Sequence, residues 1–536
     1  MTDAVVVGAG VNGLVAANML ADAGWSVTVL EAADSPGGAV KSAEVTAPGF
    51  VNDLFSAVYP LAVASPVISA LDLERWGLRW TQAPTVVAHP VDAERTALLH
   101  RDPSATAANL EKFGAGDGDA WIDLVDRFDS IRDPFINALF RPFPPVAPSV
   151  GLVRQLGLAE LLRFARFFVQ PLRRWGEECF TGVGATSLVA GNAFHTDLGP
   201  DAAGSAVFGW LLSMLGQTIG FPVPVGGAGK LTEALVDRLR ARGGDLHCGV
   251  RVARIDVRGG RAVGVRTADG TAVGAARAVL AAVDAPQLLR DLVGPEHLPA
   301  RIVDDVRRFQ WDNATLKVDW ALSAPIPWRD PECGLAGTVH LGGSIDELSS
   351  YAHQLAMGAV PSRPYVVLGQ MTTADATRSP AGTESAWGYT HLPQRVRADA
   401  GNDGITGRWD EREVQAVVER LESEVERHAP GFRSKVIARH VFGPLDLQAA
   451  DLDLHLGAVN GGSAAVHQQL FWRPVPGLGR PELPVGRLYL ASASAHPGGG
   501  VHGGPGAIAA TSALRNAGIA GPVRRAALRA AHRAIY

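Results

Sequence analysis

The N-terminal segment combines two kinds of hydrophobic pattern. A short apolar run, Ala4–Val7, has the length of a buried strand and is followed at once by three closely spaced glycines. Apolar residues then recur at helical spacing over 14–21. A second apolar run, Ser26–Leu30, leads to the acidic Glu31. The pattern predicts a strand, a helix and a second strand, which is the beginning of a Rossmann-type α/β unit.

A similar pattern returns near the C-terminus. Arg487–Leu490 has the composition of a strand, and a glycine-rich stretch over 491–506 separates it from a helical pattern over Ala507–Ala517. A flexible linker is the alternative, but regular elements bracket the stretch, which contains His, Pro and Val instead of Ser and Lys. A glycine loop between a strand and a helix presents N–H groups to an anion or to the pyrimidine edge of a flavin.

The interval between the two ends contains further predicted elements. Residues 249–283 carry strand patterns separated by turns at Arg258-Gly259-Gly260 and Ala268-Asp269-Gly270, which predicts a β-meander. Apolar positions from Val414 to Val425 predict one face of a helix that ends before Pro430-Gly431. We expect that helix to have a structural role.

Two basic segments have two interpretations each. The stretch Leu152–Val169 combines leucines and phenylalanines with arginines, and residues 521–536 are also rich in arginine. A basic amphipathic helix can dip into a lipid surface to collect an apolar substrate, which would make the protein peripheral to a membrane. More often such a helix lines a pocket or core and exposes its arginines, and for the C-terminal segment we favour a solvated helix.

The glycine spacing at the N-terminus has a chemical reason. Gly8 permits the tight turn, Gly10 lets the backbone approach a pyrophosphate, and Gly13 lets the helix pack closely on the strand. The phosphates then meet the N-terminus of the helix, whose free N–H groups and dipole favour negative charge. Glu31 can accept from a ribose 2′-hydroxyl and would repel a 2′-phosphate. The unit therefore predicts an adenosine diphosphate group without a 2′-phosphate.

Gly37 and Gly38 form a second glycine pair shortly after Glu31. A domain that binds NAD does not need such a pair, which would bring the backbone close to a diphosphate or a flavin a second time. The further contacts predicted at this end are made by Ala9, Ala32, Gly37 and Gly38.

Composition narrows the classes of function. The length of 536 residues predicts two or more domains, and the net charge of −5 gives no reason to expect a nucleic acid partner. The three cysteines form no C-x-x-C pair, which excludes disulfide-exchange chemistry and suits a reducing cytoplasm. No apolar run reaches the roughly eighteen residues of a membrane span, and we expect no signal sequence. No metal-binding or nucleophile motif is present, so no metal site is predicted.

Four stretches along nearly the whole chain carry a family resemblance. They are "VVVGAGVNGLVAANMLADAGWSVTVLEAADSPGGAV" with the following "APGFVNDLFSAVYP", "GGAGKLTEALVDRLRARGGDLHCGVRVARIDV", "QLFWRPVPG" and "LYLASASAHPGGGVHGGPGAIAA". As a set they resemble the carotenoid/retinoid oxidoreductase family, the phytoene-desaturase-like flavoproteins. Within it, the chain is most similar to the branch of pyridine nucleotide-disulfide oxidoreductase domain-containing protein 2.

The resemblance implies FAD as the cofactor and an α/β fold. We expect a Rossmann-type FAD-binding domain interleaved with a mixed-sheet and helical substrate domain of α+β type. The expected FAD-binding domain comprises 1–60, 221–300 and 480–520, the substrate domain 61–220 and 301–479, and a helical tail 521–536.

The resemblance also implies where the remaining contacts lie. It puts the backbone of Val252 against the adenine and Arg473-Pro474 near the flavin ring. Many relatives have Arg after the second glycine pair, where this chain has Ala39, so the arginine of that contact is missing here. The residues implied along the flavin and its ribityl chain are Gly499, Gly500, Val501 and Gly503.

No residue receives a catalytic assignment from the sequence. The histidines that stand out are His195, His496 and His502. The last two flank the C-terminal glycine loop, and we include His496 among the cofactor contacts. Either one could tune the charge of the flavin or act as an acid or base, and a structural hydrogen bond is the alternative for both.

The expected function is FAD-dependent dehydrogenation or desaturation of an apolar small molecule, isoprenoid or lipid-like, by hydride transfer to flavin. Oxygen, quinone or another acceptor would reoxidise the flavin. Amine or porphyrinogen oxidation on the same scaffold is one alternative. A flavin-stabilised regulatory or interaction protein with little turnover is another, and the oligomeric state is not predicted.

Overall fold

The structure, a computed structural model, describes residues 2–142, 144, 157 and 159–536. Its first sheet is built on parallel strands from distant parts of the chain. In spatial order these strands are Asp245–His247, Val27–Leu30, Thr2–Val7, Ala272–Ala281 and Leu488–Leu490. Val252–Arg258 and Arg261–Thr267 join the start of Ala272–Ala281 as the predicted antiparallel meander.

The second sheet is mixed. Its spatial order is Val436–Phe442, Ala314–Leu322, Glu384–Leu392, Val366–Gln370, Ala336–Leu341, Thr85–Pro90 and Thr96–Leu99. Ala336–Leu341 and Thr85–Pro90 run parallel, and the other neighbours run antiparallel. Short ladders pair Ser42–Ala43 with Asn52–Asp53, Trp80–Thr81 with Val223–Pro224, and Ala359–Val360 with Ala398–Asp399.

Helices cover both sheets. The α-helices are Val11–Asp22, Pro60–Ala64, Pro66–Ala70, Pro103–Leu110, Asp117–Leu139, Leu172–Cys179, Val183–Ala193, Ser205–Thr218, Gly229–Ala241, Ala300–Arg307, Ile345–Ala356, Met371–Ala374, Glu411–His428, Pro444–Ala450, Gly504–Ala517 and Gly521–Ile535. Helical backbone also runs over 159–167. Shorter helical turns are Leu73–Trp76, Gln287–Val293, Pro295–His297, Pro331–Leu335, Arg433–Lys435, His455–Gly457, Val466–Gln468 and Leu470–Trp472. The combination of sheets and helices confirms the predicted α/β class.

Two helices from opposite ends of the chain meet beside the first sheet. Val11–Asp22 is buried along most of its length, with Leu14 and Leu20 inaccessible to solvent. It crosses Gly504–Ala517 so closely that a Cβ on Gly506 would overlap the carbonyl oxygen of Asn12. The two helix N-termini therefore lie side by side, at the carboxyl ends of the parallel strands.

The C-terminal element boundaries differ from the prediction. The strand begins at Leu488 instead of Arg487, whose φ of 65° takes it out of the extended region. The helix begins at Gly504 and not at Ala507, so three residues of the expected glycine loop form its first turn. Pro505 is tolerated there because the first-turn N–H groups need no intrahelical partner.

Of the two basic segments predicted from the sequence, the structure describes the C-terminal one and part of the stretch Leu152–Val169. Residues 152–156 and 158 of the predicted amphipathic stretch lie outside the described residues. In the described part, Phe164 is buried against Phe135, and Arg166 forms an ion pair with Glu178. Residues 521–535 form the expected C-terminal helix.

No helix in the described ranges is long and apolar enough to cross a membrane. The proposed domain boundaries stay predictions.

Candidate functional site

A cavity of about 1060 Å³ lies between the two sheets and receives residues from both. Ligand-binding cavities are typically ~300–1,000 Å³, so this one has room for a large ligand. The predicted site residues that line it are Gly8, Gly10, Glu31, Ala32, Gly37, Gly38, Val252, Gly499, Gly500 and Val501. Predicted site residues that do not line it are Ala9, Gly13, His496 and Gly503. Segments from the two ends of the chain therefore meet in one cavity.

The two N-terminal glycine segments pack against each other. The N–H of Gly37 donates to the carbonyl of Ala9 at 2.9 Å. A Cβ on Gly13 would overlap the carbonyl oxygen of Gly8, which explains why the helix can start directly behind the turn. A Cβ on Gly10 would meet only the Cα of Gly38, at 4.0 Å. Gly13 is therefore needed for the fold of the loop, whereas Gly10 keeps the space in front of it open.

The N-terminus of helix Val11–Asp22 has the features of an anion site. Its N-cap residue, Gly10, makes no side-chain capping hydrogen bond, and its first turn carries no acidic residue. The N–H groups at this end and the helix dipole attract negative charge. Together with the open space at Gly10, this end of the cavity fits a diphosphate group.

Glu31 is held in place by backbone N–H groups. Its Oε2 accepts from the N–H of Ala9 at 2.6 Å, and its Oε1 accepts from the N–H of Ala33 at 2.9 Å. A carboxylate oxygen has further acceptor capacity, so ribose hydroxyls can still donate to Glu31. The carboxylate thus also fastens the glycine turn, a role that the spacing of the sequence did not indicate.

The C-terminal glycine loop lies against a second loop and the N-terminal helices. A Cβ on Gly499 would lie 2.7 Å from the carbonyl oxygen of Asn460, and one on Gly500 would lie 3.0 Å from Leu61. A Cβ on Gly503 would lie 2.8 Å from Val15. The glycines therefore allow the backbone of this loop to pack closely against the backbone of Asn460 and the side chains of Leu61 and Val15.

The two histidines of this loop are buried, and His502 lines the cavity whereas His496 does not. Nδ1 of His502 accepts from the N–H of Gly504 at 3.0 Å, and burial lowers the pKa of His502 to about 4. Its ring also hydrogen-bonds to the backbone of Gly499. His502 therefore acts as a neutral cap that ties the loop to the helix. Burial and the nearby Arg473 lower the pKa of His496 to about 4.

Arg473 is buried and does not reach the cavity. Its guanidinium donates to backbone carbonyls of the loop over 460–463 and to the carbonyl of Ala493, at 2.8 Å for the shortest. On the other side of that loop, the Asp312 carboxylate accepts from the N–H groups of Val459, Asn460 and Gly462. The expected approach of Arg473 to the ring is therefore replaced by a contact that positions the cavity wall.

Three of the carboxyl groups that line the cavity on the side of Glu31 form a cluster. Asp453 Oδ1 accepts from the N–H of Asp284 at 2.9 Å, and Asp451 Oδ1 accepts from the N–H of Asp453 at 3.0 Å. Burial raises the pKa of Asp284 to about 7 and also raises the pKa values of Asp451 and Asp453. Protonated carboxyls can donate hydrogen bonds and repel a diphosphate less than carboxylates do. The sequence did not indicate this cluster, because Asp284 is far from Asp451 and Asp453 in the chain.

A lysine from the second sheet faces the cavity. Lys317 lies in strand Ala314–Leu322, and its Nζ forms a 2.5 Å ion pair with Asp319 Oδ1. Burial raises the pKa of Asp319 to about 6 despite that partner. The sequence analysis missed Lys317. Its rarity was the available signal, since only five of the 49 basic residues are lysines.

One end of the cavity is apolar. Helix Ser205–Thr218 presents a stripe of apolar side chains to it at the spacing of one helical face. The apolar and aromatic lining residues at this end are Leu61, Leu139, Phe140, Phe208, Leu211, Leu212, Leu215, Phe221, Trp387 and Tyr389. The polar ones beside them are Asn192, His195, Thr196, Thr315 and Lys317.

Comparison with known proteins identifies the family. Residues 12–379 match the sequence profile of a protein family described as "Flavin containing amine oxidoreductase". The mouse protein "Pyridine nucleotide-disulfide oxidoreductase domain-containing protein 2" is 28% identical, over 96% of this chain and 93% of its own length. A lycopene-forming phytoene desaturase of Paracoccus sp. is 24% identical, over 95% of this chain and 96% of its own length. Putrescine oxidase bound to putrescine has the same fold, with a TM-score of 0.61, 17% identity and coverage of 96% of this chain and 98% of its own.

These matches confirm the resemblance to phytoene-desaturase-like flavoproteins and FAD as the cofactor. The two glycine segments, the uncapped helix and Glu31 fit the ADP half of FAD, and the C-terminal loop fits the other half. When bound, FAD supplies the acceptor of two electrons. The protein is an FAD-dependent oxidoreductase, and since the profile match spans more than half of the sequence, the chain belongs to the family of flavin-containing amine oxidoreductases.

Proposed function

We propose that the protein dehydrogenates or desaturates an apolar small molecule, isoprenoid or lipid-like, with hydride transfer to FAD. The observation that carries this proposal is the apolar end of the cavity. Phe208, Leu211, Leu212 and Leu215 occupy one face of helix Ser205–Thr218 and line the cavity together. A wall of this kind binds hydrocarbon by removing it from water, with ~25 cal/mol gained per Å² of apolar surface buried.

The names of several relatives support the same substrate class. Besides the phytoene desaturases, a limonene dehydrogenase component of Castellaniella defragrans is 22% identical over 96% of this chain and 95% of its own length. Phytoene and limonene are both hydrocarbons. For this chain, we infer a substrate of similar polarity and leave its size open.

Amine oxidation is the second candidate, and the family description and the fold of putrescine oxidase favour it. An ammonium group needs a carboxylate or an aromatic cage. The carboxyl groups that line the cavity, Asp284, Asp291, Asp451 and Asp453, lie with Glu31 near the predicted ADP end. At the apolar end the charged lining residue is the cationic Lys317. Trp387 and Tyr389 also line this end, but the positive charge of Lys317 beside them opposes an ammonium group, so the charge distribution supports a neutral substrate over an amine.

The test uses the purified, FAD-loaded protein under anaerobic conditions. Phytoene dispersed in lipid vesicles and limonene serve as hydrocarbon probes, and putrescine serves as the amine probe. We expect a hydrocarbon to bleach the visible absorption of the flavin and putrescine to leave it unchanged. Bleaching by putrescine alone would favour the amine reaction, and bleaching by none of the probes would favour a flavin-stabilised interaction protein.

A substitution in the apolar wall makes the test specific for this site. Leu212→Asp introduces a charge into the lining, which should weaken hydrocarbon binding, since an unpaired buried charge is strongly unfavourable. Leu335→Asp, at a leucine that is 48% exposed and does not line the cavity, is the control. Oxygen and quinone are the proposed acceptors, and admitting each to the bleached protein would identify the one that restores the spectrum faster.

A further inference from the structure

The guanidinium of Arg473 places a positive charge directly behind the cavity wall. It donates to the carbonyl of Ala493 at 2.8 Å and to the carbonyl of Asn460 at 2.9 Å, and both of these residues line the cavity. A Cβ on Gly498 would lie 3.5 Å from the Cζ of Arg473. One layer of backbone therefore separates this charge from the cavity.

No carboxylate neutralises Arg473 by direct contact. In the described part of the chain its hydrogen bonds all go to backbone carbonyls, and it forms no ion pair there. Burial lowers the pKa of Arg473 to about 10, so the guanidinium is still protonated at pH 8. Water and salt screen a buried charge less than an exposed one, so the field of Arg473 extends into the cavity.

Asp312 places a negative charge on the other side of the same loop. Its carboxylate accepts from the N–H groups of Val459, Asn460 and Gly462 at 2.8–3.0 Å. Val459 and Asn460 line the cavity, so this charge is also one residue behind the wall. Burial raises the pKa of Asp312 to about 6, and the carboxyl group is therefore ionised at pH 8.

A second carboxylate that acts on Arg473, Asp197, bonds to a part of the loop that does not form the wall. It accepts from the hydroxyl of Ser463 at 2.6 Å and from the N–H of Ala464 at 2.8 Å. Neither of these two residues lines the cavity. Arg473 and Asp312 are therefore the two charges with the most direct effect on this wall.

The wall in front of these charges belongs to the flavin end of the cavity. The C-terminal glycine loop, which fits the flavin half of FAD, packs against it, since a Cβ on Gly499 would lie 2.7 Å from the carbonyl oxygen of Asn460. Gly499, Gly500 and Val501 line the cavity beside Asn460. The field of the two charges therefore acts where the flavin ring is expected to bind.

From this geometry we propose that Arg473 raises the reduction potential of the flavin and that Asp312 lowers it, each acting through the wall. A hydride carries two electrons and one proton, so a flavin that accepts a hydride gains one negative charge. A fixed positive charge stabilises this reduced form relative to the oxidised form, and a fixed negative charge destabilises it. The inference depends on FAD as the cofactor and not on the proposed substrate.

The test measures the reduction potential of the FAD-loaded protein at pH 8, by anaerobic equilibration with a reference dye. Arg473→Gln removes the charge and keeps an amide donor. It should lower the equilibrium constant for two-electron reduction by about 10-fold, which corresponds to about 30 mV. Asp312→Asn should raise the same constant by about 10-fold. Both variants lose hydrogen bonds of the wall, so a purely structural effect would move the potential in one direction in both.

Arg473→Lys is the matched variant, because it also loses part of the hydrogen bonds but keeps the charge. It should retain the wild-type potential although its free energy of unfolding falls. Arg515→Met, at an exposed arginine, should leave the potential unchanged.

A potential in Arg473→Lys as low as that in Arg473→Gln would overturn the proposal, and so would shifts of the same sign in Arg473→Gln and Asp312→Asn. Asp312→Asn tests the field of the wall with the arginine in place. An unchanged or lowered potential in that variant would overturn the proposal even if Arg473→Gln fails to bind FAD.

Discussion

Gly10 and Gly13 show how two glycines of one motif differ in what they do. Gly13→Ala places a Cβ on the carbonyl oxygen of Gly8, so we expect the apoprotein to lose about 1–3 kcal/mol of unfolding free energy. Gly10→Ala has space in the protein alone, and its φ of −66° suits alanine. Its methyl group points to where the diphosphate binds. We expect normal stability of the apoprotein and a 10- to 100-fold higher Kd for FAD, or about 1–3 kcal/mol.

Urea unfolding of the apoproteins and titration of each with FAD check both expectations. The two variants carry the same substitution three residues apart, so each is the control of the other. Equal losses of unfolding free energy in both variants would contradict the distinction. So would normal FAD affinity in Gly10→Ala.

The two backbone hydrogen bonds that the Glu31 carboxylate accepts lead to a prediction about FAD affinity. Glu31→Gln keeps one acceptor oxygen, so the N–H of either Ala9 or Ala33 loses its partner. We expect FAD affinity to fall about 10-fold, because an unpaired buried donor costs about 1–3 kcal/mol and the ribose contact also weakens. The measurement is the Kd of FAD from fluorescence titration.

Glu44 provides the matched control. Its carboxylate also accepts a backbone N–H, from Gly49, but it does not line the cavity. Glu44→Gln should leave FAD affinity unchanged. An equal effect of both substitutions would mean that Glu31 acts on the stability of the loop and not on the cofactor.

At the scale of elements, Arg473 joins two loops that build one wall of the cavity. Arg473→Met leaves several buried carbonyls without a donor, each of which costs about 1–3 kcal/mol, so we expect a loss of at least about 3 kcal/mol. Arg473→Lys keeps the charge but not the planar array of five donors, so its loss should be intermediate. Urea unfolding measures both. Arg515→Met, at an exposed arginine of helix Gly504–Ala517, should change little, and a similar loss there would count against the assigned role.

The elements that the sequence predicted are those with local signals. The strand, glycine turn and helix at the N-terminus each depend on residues within a few positions, and so does the meander after Val252. The second sheet was not predicted strand by strand. Strand Ala314–Leu322 is buried at all nine positions and includes Lys317 and Asp319. A strand buried on both faces does not alternate between apolar and polar residues, so it lacks the periodic signal of a strand with one exposed face.

The cavity itself belongs to the scale of the whole molecule. Its glycine loops were predictable because each has a chemical requirement that is visible in the sequence. His195 stood out as a histidine, but its partner His340 is 145 positions away in the chain. The acidic cluster likewise joins Asp284 to Asp451 and Asp453. Contacts of this range depend on how the two sheets pack, and no local pattern encodes that arrangement.

Buried ionisable groups also make the stability of the whole molecule depend on pH. Burial raises the pKa of Asp284 to about 7, whereas an exposed aspartate titrates near ~3.9. Between these values the folded state holds a proton that the unfolded state has lost. The contribution of Asp284 to the free energy of unfolding therefore falls as the pH rises from about 4 to about 7. The buried histidines, whose pKa values are lowered, act in the opposite direction over part of this range.

Asp284→Asn separates the contribution of this one carboxyl from that of the histidines. Asparagine keeps an acceptor for the N–H of Gln287 but does not titrate, and the histidines are common to both proteins. The free energy of unfolding of the variant, minus that of the wild type, should therefore increase by a few kcal/mol between about pH 5 and about pH 8, since each pKa unit is worth about 1.4 kcal/mol. Urea unfolding of the apoproteins across this range measures the difference. Asp237→Asn, at an exposed residue of helix Gly229–Ala241, should give a difference that does not change with pH. A constant difference for Asp284→Asn as well would mean that this carboxyl is already ionised at low pH in the folded protein.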